Sequence, residues 1–301
     1  MIIIAHINFV LVAYLLQKFL GIPYMAIGHG VEVWKKPNDR VKAALRNAAK
    51  LMAVSSFTRA RMSEVLGLSI DRIGLLPNTF DPSDFKIRPK PRFLLKRYGL
   101  RPDQPIILTI ARLASAERYK GYDQVLKALV SVRERFPDVC YVLGGRGQDR
   151  SRVLNLISKL GLTNNVILAG YIRDEELPAH YNLCDVFAMP SKGEGFGIVF
   201  LEALACGKPV IAGGKDGSID ALLNGKLGVL VDPDNSSQLA EAITHVLARD
   251  HLFEILKEPN KLREEVVDAY GYPRFVARLK ELLGGVIRER RGKGEAVRAE
   301  G

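Results

Sequence analysis

Short apolar runs alternate with stretches of helical periodicity from one end of the chain to the other. The runs are continuous rather than in-out alternating, the pattern of strands buried on both faces. They fall at residues 2–5, 23–27, 51–54, 73–75, 106–110, 139–143, 166–169, 186–189, 210–212 and 228–231, with candidate helices between nearly every pair. Such an order predicts parallel sheets covered on both sides. Ten strands are more than one compact domain of this kind usually holds, and a Pro-rich basic stretch at 81–92 (DPSDFKIRPKPR) offers a natural break. Six strands fall in 93–268, enough for a complete doubly wound domain. Four precede the break, too few for a second sheet of that type. The expected division is a short lobe over 1–88, a full domain over 89–268, and over 269–301 a helix at 272–288 followed by a frayed charged tail.

With 301 residues, 48% of them hydrophobic, the chain can bury a sizeable core, and disorder is expected only at its ends. A net charge of +11 favours phosphate-rich ligands, an anionic membrane surface or nucleic acid, and equally describes a solvated basic surface. No aromatic-basic interleaving supports nucleic acid. Cys140, Cys184 and Cys206 lie in apolar surroundings without zinc spacing, and the five histidines are scattered, so core thiols in a reducing compartment are expected and no metal site. The N-terminal run MIIIAHINFVLVAYLLQKFLG is short and carries His6, Asn8 and Gln17. It reads as a buried strand and an apolar helix at 9–20, with a membrane anchor as the alternative.

Candidate chemistry concentrates in SKGEGFGIVFLEALACGKPVIA, residues 191–212. Glu194 and Glu202 bracket Gly195, Phe196 and Gly197, after which a run of helix formers begins and Gly207 with Pro209 ends it. Amides at a helix start suit anions or sugar oxygens, and an ionised carboxylate, which only accepts, suits pairs of hydroxyls. Upstream, the strand at 106–110 delivers Arg112 to the sheet edge where open α/β sheets place ligands, and Lys120 follows at the expected start of a helix. A planar guanidinium and a compact ammonium fit a diphosphate; ordinary surface charges fit the same pattern. The turn Gly144-Gly145-Arg146-Gly147 lies at the same edge and does not match GxGxxG. Asp232-Pro233-Asp234 has the look of a metal-binding DxD but follows a strand and precedes an Asn-Ser-Ser cap, so a turn is expected.

EGFGIVFLE resembles the E-x7-E element of family-4 retaining glycosyltransferases of the GT-B fold. Further motifs match in order: GHGVE at 28–32, VSSFTR at 54–59, PNTFD at 77–81, ARL with YKG around Arg112 and Lys120, CDVFAMPS at 184–191, and PVIA through GKLGVLVDP. The resemblance implies two Rossmann-like doubly wound domains facing a cleft, the N-terminal one truncated, since the opening strand and glycine-rich loop of the family have no counterpart before Met1. It implies a transfer, of hexosyl type, from a UDP- or GDP-sugar to a glycan, lipid or small-molecule acceptor, retaining and metal-independent, in polysaccharide or glycoconjugate synthesis. Arg112 and Lys120 would hold the donor diphosphate, Glu194 the donor sugar, and Glu202 the ribose hydroxyls. Gly195, Phe196 and Gly197 would offer amides, Gly145 and Ile172 would line the donor site with Ser55 as a further donor-side contact from the first lobe, and His29 would stand near the transferred sugar. The last helix would cross back to the first lobe.

Asp216 stands where the family has a glycine, Asp220 where it has glutamate, and Thr79 where it has glycine. The alternative reading is a truncated, non-catalytic nucleotide-sugar-binding module. A cytoplasmic protein is expected, peripheral on the inner membrane face through Lys35, Lys36, Arg40 and Lys42 or the basic run 288–293, with no nucleic-acid partner. No pattern specifies an oligomer.

Overall fold

The structure, a computed structural model, describes the backbone of residues 1–249 and 254–299, and the side chains through residue 287 except at 254. All ten expected strands form: β1 (Ile2–Ile4), β2 (Tyr24–Gly28), β3 (Lys50–Ala53), β4 (Ile73–Leu75), β5 (Ile106–Ile110), β6 (Cys140–Gly144), β7 (Val166–Gly170), β8 (Val186–Met189), β9 (Val210–Gly213) and β10 (Val229–Val231). Every pairing is parallel. The strands make two sheets, one ordered β1-β2-β3-β4 and the other β10-β9-β8-β5-β6-β7. Compactness divides the chain into two units, one of Met1–Thr79 with the stretch from Tyr270 onward, the other Phe80–Ala269.

In the first unit the strand residues sort by parity. Tyr24, Ala26, Leu51, Ala53 and Ile73 pack to one side with Val10 and Ala13 of the helix Val10–Leu20 and with Ala44, Leu45, Met62 and Leu66. Met25, Met52 and Leu76 face the other side, where Phe275, Leu279, Leu282, Leu283 and Val286 of the helix Tyr272–Ala299 cover them. Consecutive residues on opposite faces are what the pleat dictates. That last helix runs to Ala299, where a frayed tail was expected after 288. Arginine, lysine, glutamate and alanine outweigh Gly292 and Gly294 in local propensity. The side chains of the basic run 288–293 lie outside the described residues.

In the second unit the strand order reverses between β5 and β8, both of which pair directly. Thr109 of β5 ties the reversal together, donating to the Ala188 carbonyl on β8 and accepting from the Tyr141 hydroxyl of β6 at 2.8 Å. Tyr141 is fully buried, so this hydroxyl needs that partner. The Pro-rich stretch 81–92, read from sequence as a loose break, is instead stitched to this unit. Arg88 N–H donates to Asn182 at 2.8 Å, Lys90 Nζ to Asp185 at 2.7 Å, and Arg263 to the carbonyls of Phe85 and Pro82. Proline removes donors but leaves carbonyls, and side chains from elsewhere supply the missing partners.

No helix among the described residues is long and apolar enough to cross a membrane. The three cysteines are free and buried, and burial pushes each thiol up to about 12.

The helix Arg92–Tyr98 is fastened by a two-pronged bond from Arg97 to Glu176 at 2.7 and 2.9 Å. Those bonds hold the Glu176 carboxyl at about 2, below its ordinary 4.5. A lowered carboxyl contributes stability that is complete above pH 4.5 and lost as pH falls toward 2. Glu176→Gln is expected to flatten that part of the pH profile of the urea midpoint, with a smaller difference in high salt because the pair is partly exposed.

Candidate functional site

An order reversal in a parallel sheet opens a crevice at the carboxyl ends of the two strands that flank it. Here those strands are β5 and β8, so the loops after Ile110 and after Met189 meet there. The first loop passes Arg112 and becomes a 3-10 segment, Ser115–Lys120. Lys120 therefore ends a tight turn rather than starting a helix; Gly121 separates it from the helix Tyr122–Arg135. The second loop carries Glu194 through Gly197 into the helix Ile198–Ala205.

The two loops join through Lys120 and Glu194, whose ammonium and carboxylate are in contact with 18% and 15% of their side chains exposed. Burial pulls the Lys120 ammonium down, yet the adjoining carboxylate overrides it and the net shift is upward. Burial alone would disfavour the charged form, and the carboxylate more than offsets it. Arg112 is 80% exposed and pairs with Glu117. It belongs to the same charge cluster, because the half-buried Tyr119, raised chiefly by burial, feels Lys120, Glu117, Glu194 and Arg112 together.

Gly197 caps the next helix with φ 93° and ψ 73°, a conformation that only glycine adopts without strain, and a Cβ there would strike the Phe200 ring. Phe196 is buried, so its side chain serves the core. Amides of the first helical turn lack i−4 partners within the helix and point along its axis, out of its N-terminal end, although that of Phe200 is taken by the Gly197 carbonyl at 3.1 Å. Glu202 lies one turn further along, its Oε2 accepting from the Tyr181 hydroxyl at 2.6 Å. Burial raises the Glu202 carboxyl, the Tyr181 bond lowers it, and Asp174 raises it.

Gly145 donates its N–H to the Gly170 carbonyl at 2.7 Å, and Ile172 is buried with its side chain over Gly144. Gly145 follows the carboxyl end of β6, the neighbour of β5, and Ile172 follows that of β7, one strand further out. His29 and Ser55 belong to the first unit. His29 Nε2 meets the Ala5 carbonyl at 2.7 Å, while its N–H donates to Glu32 at 2.5 Å. Ser55 is fully buried and caps the helix Ser56–Leu66, accepting from Thr58 N–H at 3.0 Å. Asp232-Pro233-Asp234 is a turn, as expected, with Lys215 on Asp232 at 2.6 Å and Lys192 on Asp234. No group of three or more His, Cys, Asp or Glu among the described residues could hold a metal ion.

Sequence reasoning missed Glu117 and Tyr181. Glu117 sits within the basic loop between Arg112 and Lys120, where a lone acid signals an internal ion pair. Tyr181 had no such signal, since its link to Glu202 exists only once the sheet is built.

Two parallel α/β sheets, the second reversing over a cation-carboxylate pair and a glycine-capped helix, define the GT-B type of fold. Solved structures agree on the fold: Anabaena HepE in complex with UDP superposes with a TM-score of 0.81 at 21% identity, covering 93% of this chain and 77% of that one. The sucrose-phosphate synthase of Thermosynechococcus elongatus gives 0.80 at 24% identity, covering 95% of this chain and 73% of that one. Residues 92–266 match the family model described as glycosyl transferases group 1. The chain belongs to that family. A relative from Mycolicibacterium smegmatis, the GDP-mannose-dependent alpha-(1-6)-phosphatidylinositol monomannoside mannosyltransferase, is 34% identical over 273 residues, 87% of this chain and 70% of its own length. The protein of the same name from Mycobacterium tuberculosis is 34% identical over 74% of this chain and 60% of its own length.

Tyr181→Phe removes the one hydroxyl bonded to Glu202 Oε2 in a buried setting. Urea unfolding is expected to show a loss of about 1–2 kcal/mol. The Glu202 carboxyl should titrate still higher in the variant, followed by carbon NMR.

Proposed function

We propose that this chain is a retaining glycosyltransferase that moves a hexosyl group from a nucleotide-diphosphate sugar to a glycan or lipid acceptor. The observation that carries the reading is the Lys120–Glu194 pair at the crevice beside the capped start of Ile198–Ala205. In this reading Lys120 and Arg112 take the diphosphate, Glu194 the hydroxyls of the donor sugar, and Glu202 those of the ribose. Gly195, Phe196 and Gly197 turn backbone amides toward the phosphate and sugar, and Gly145 and Ile172 border the nucleoside. His29 stands on the acceptor side, with Ser55 a donor-side contact from the first lobe. The two mycobacterial relatives, named as GDP-mannose-dependent, favour a GDP-hexose donor and a lipid-borne acceptor.

The chemistry follows from where charge develops. The bond between the anomeric carbon and the β-phosphate oxygen breaks, and negative charge grows on the leaving phosphate. Fixed cations and oriented amides stabilise that charge without reorganising, by a few kcal/mol per donor on the usual scale of such sites. The acceptor oxygen attacks from the face the phosphate leaves, so configuration is retained. The acceptor proton passes to the departing phosphate, and the products are the glycoside and a nucleoside diphosphate. No step in this route calls for a metal.

Titration calorimetry with GDP-mannose and UDP-glucose tests the donor site. Wild type is expected to bind one of them, and Arg112→Ala and Glu202→Ala to lose about tenfold or more, one charge-assisted bond being worth roughly that. Equal affinity in all three proteins overturns the assignment. Donor binding with neither transfer nor hydrolysis against lipid and glycan acceptors favours the alternative, a nucleotide-sugar-binding module.

Peripheral contact with an anionic membrane is part of the same proposal. Lys35, Lys36 and Arg40 are exposed in the first unit, and Phe9, Val12, Leu15, Phe19 and Leu20 are exposed on or next to the helix Val10–Leu20. Basic and apolar exposure together suit a lipid surface. Co-sedimentation with phosphatidylglycerol vesicles at low salt, falling away at high salt and absent with phosphatidylcholine, is the expected result; equal recovery with both lipids contradicts it.

A further inference from the structure

The loop that carries Glu194 is held from beneath by the segment that follows β9. Asp216, in that segment, is fully buried, and its carboxylate accepts three hydrogen bonds. Oδ2 receives the Ser191 hydroxyl at 2.7 Å and the Glu194 N–H at 2.7 Å, while Oδ1 receives the Ser218 N–H at 2.9 Å. The next residue grips the same place a second time, Gly217 N–H donating to the Glu194 carbonyl at 2.9 Å. The backbones come so close that a Cβ on Gly217 would collide with the Gly195 carbonyl. Glu194 is thus fixed at both its N–H and its C=O before its side chain reaches Lys120.

A residue that merely closed the turn ahead of the short helix Ser218–Ala221, whose cap position is Gly217, would need only the bond to Ser218. Asp216 makes that bond and spends its other oxygen on the Glu194 loop. An acceptor-only group with two oxygens is the one side-chain chemistry that can bridge an amide, a hydroxyl and a second amide at once. Burial raises the Asp216 carboxyl while the Glu194 amide, Ser218 and Ser191 lower it, and burial prevails.

We propose that Asp216 is a positioning residue that sets Glu194 against the donor sugar, so that the protein distinguishes a nucleotide sugar from the bare nucleotide. The use made of the clamp rests on the donor reading above; the clamp itself does not. The bare nucleotide would be held by the side chains of Arg112, Lys120 and Glu202, none of which Asp216 touches, and shares with the sugar only the amides at 195–197. Loss of Asp216 therefore falls mainly on the sugar, whose hydroxyls Glu194 takes.

Two measurements separate these claims. In ligand-free protein, hydrogen exchange of the amides at 193–198 is expected to quicken about tenfold in Asp216→Ala, with β6 unchanged and Asp216→Asn recovering most of the protection because Asn keeps an acceptor. Unchanged exchange at 193–198 overturns the clamp. In calorimetry with GDP, GDP-mannose, UDP and UDP-glucose, Asp216→Ala is expected to weaken the preferred nucleotide sugar about tenfold and its bare nucleotide by less than about twofold, again with recovery in Asp216→Asn. Equal loss for both ligands marks a merely structural role and overturns the discrimination. Should wild type bind none of the four, the donor reading and the discrimination fall together, and exchange alone decides the clamp. Should Asp216→Ala not fold, Ser191→Ala, which removes one of the three donors, takes its place in both measurements with the same direction of change.

Discussion

Two opposite charges, Lys120 and Glu194, touch with more than four-fifths of each side chain out of water. At that depth neither is tolerable alone, because desolvation penalises a single charge by far more than it penalises a matched pair. The pair therefore constrains everything around it. Residues 74 apart in sequence must arrive at one point, and only the reversed order of β8 beside β5 delivers them there. On the proposed donor reading a ligand would enter by exchange, its diphosphate taking up the ammonium and its sugar hydroxyls the carboxylate.

Beneath this pair the scaffold leaves few polar groups to chance. Thr109 joins three strands through two bonds, Tyr181 occupies one oxygen of Glu202, and Asp216 with Gly217 brackets the Glu194 peptide. Each of these groups is buried and each is satisfied, which makes the layer under the crevice stiff. Rigidity below lets the exposed members differ in kind. Arg112, paired with Glu117, is mostly in solvent, whereas Lys120 is mostly buried.

The strands were legible because burial on both faces writes itself as unbroken apolar runs, and their observed bounds shift by a residue or so from the expected ones. The order of motifs, not any one of them, carried the family. What the sequence hid depends on contacts between distant segments. Nothing around Tyr181 announces that its hydroxyl will meet Glu202, and Asp216 reads as a departure from a glycine until the Glu194 loop is folded over it. Proline at 82, 89 and 91 suggested a loose connector, but Arg263 and Asn182, more than ninety residues away, fasten its backbone. The end of the last helix was misjudged for the opposite reason, local propensity prevailing over the glycines.

The first unit is assembled from both ends of the chain. One face of its sheet, with Met25, Met52 and Leu76, is covered by the helix that begins at Tyr272. During synthesis, then, the first strands emerge early yet keep that apolar face open while some two hundred residues of the second unit are made and folded. Domains that fold as they emerge ordinarily do so from the N-terminus. Between these two units the order inverts: the second can finish first, and the one begun earlier closes later.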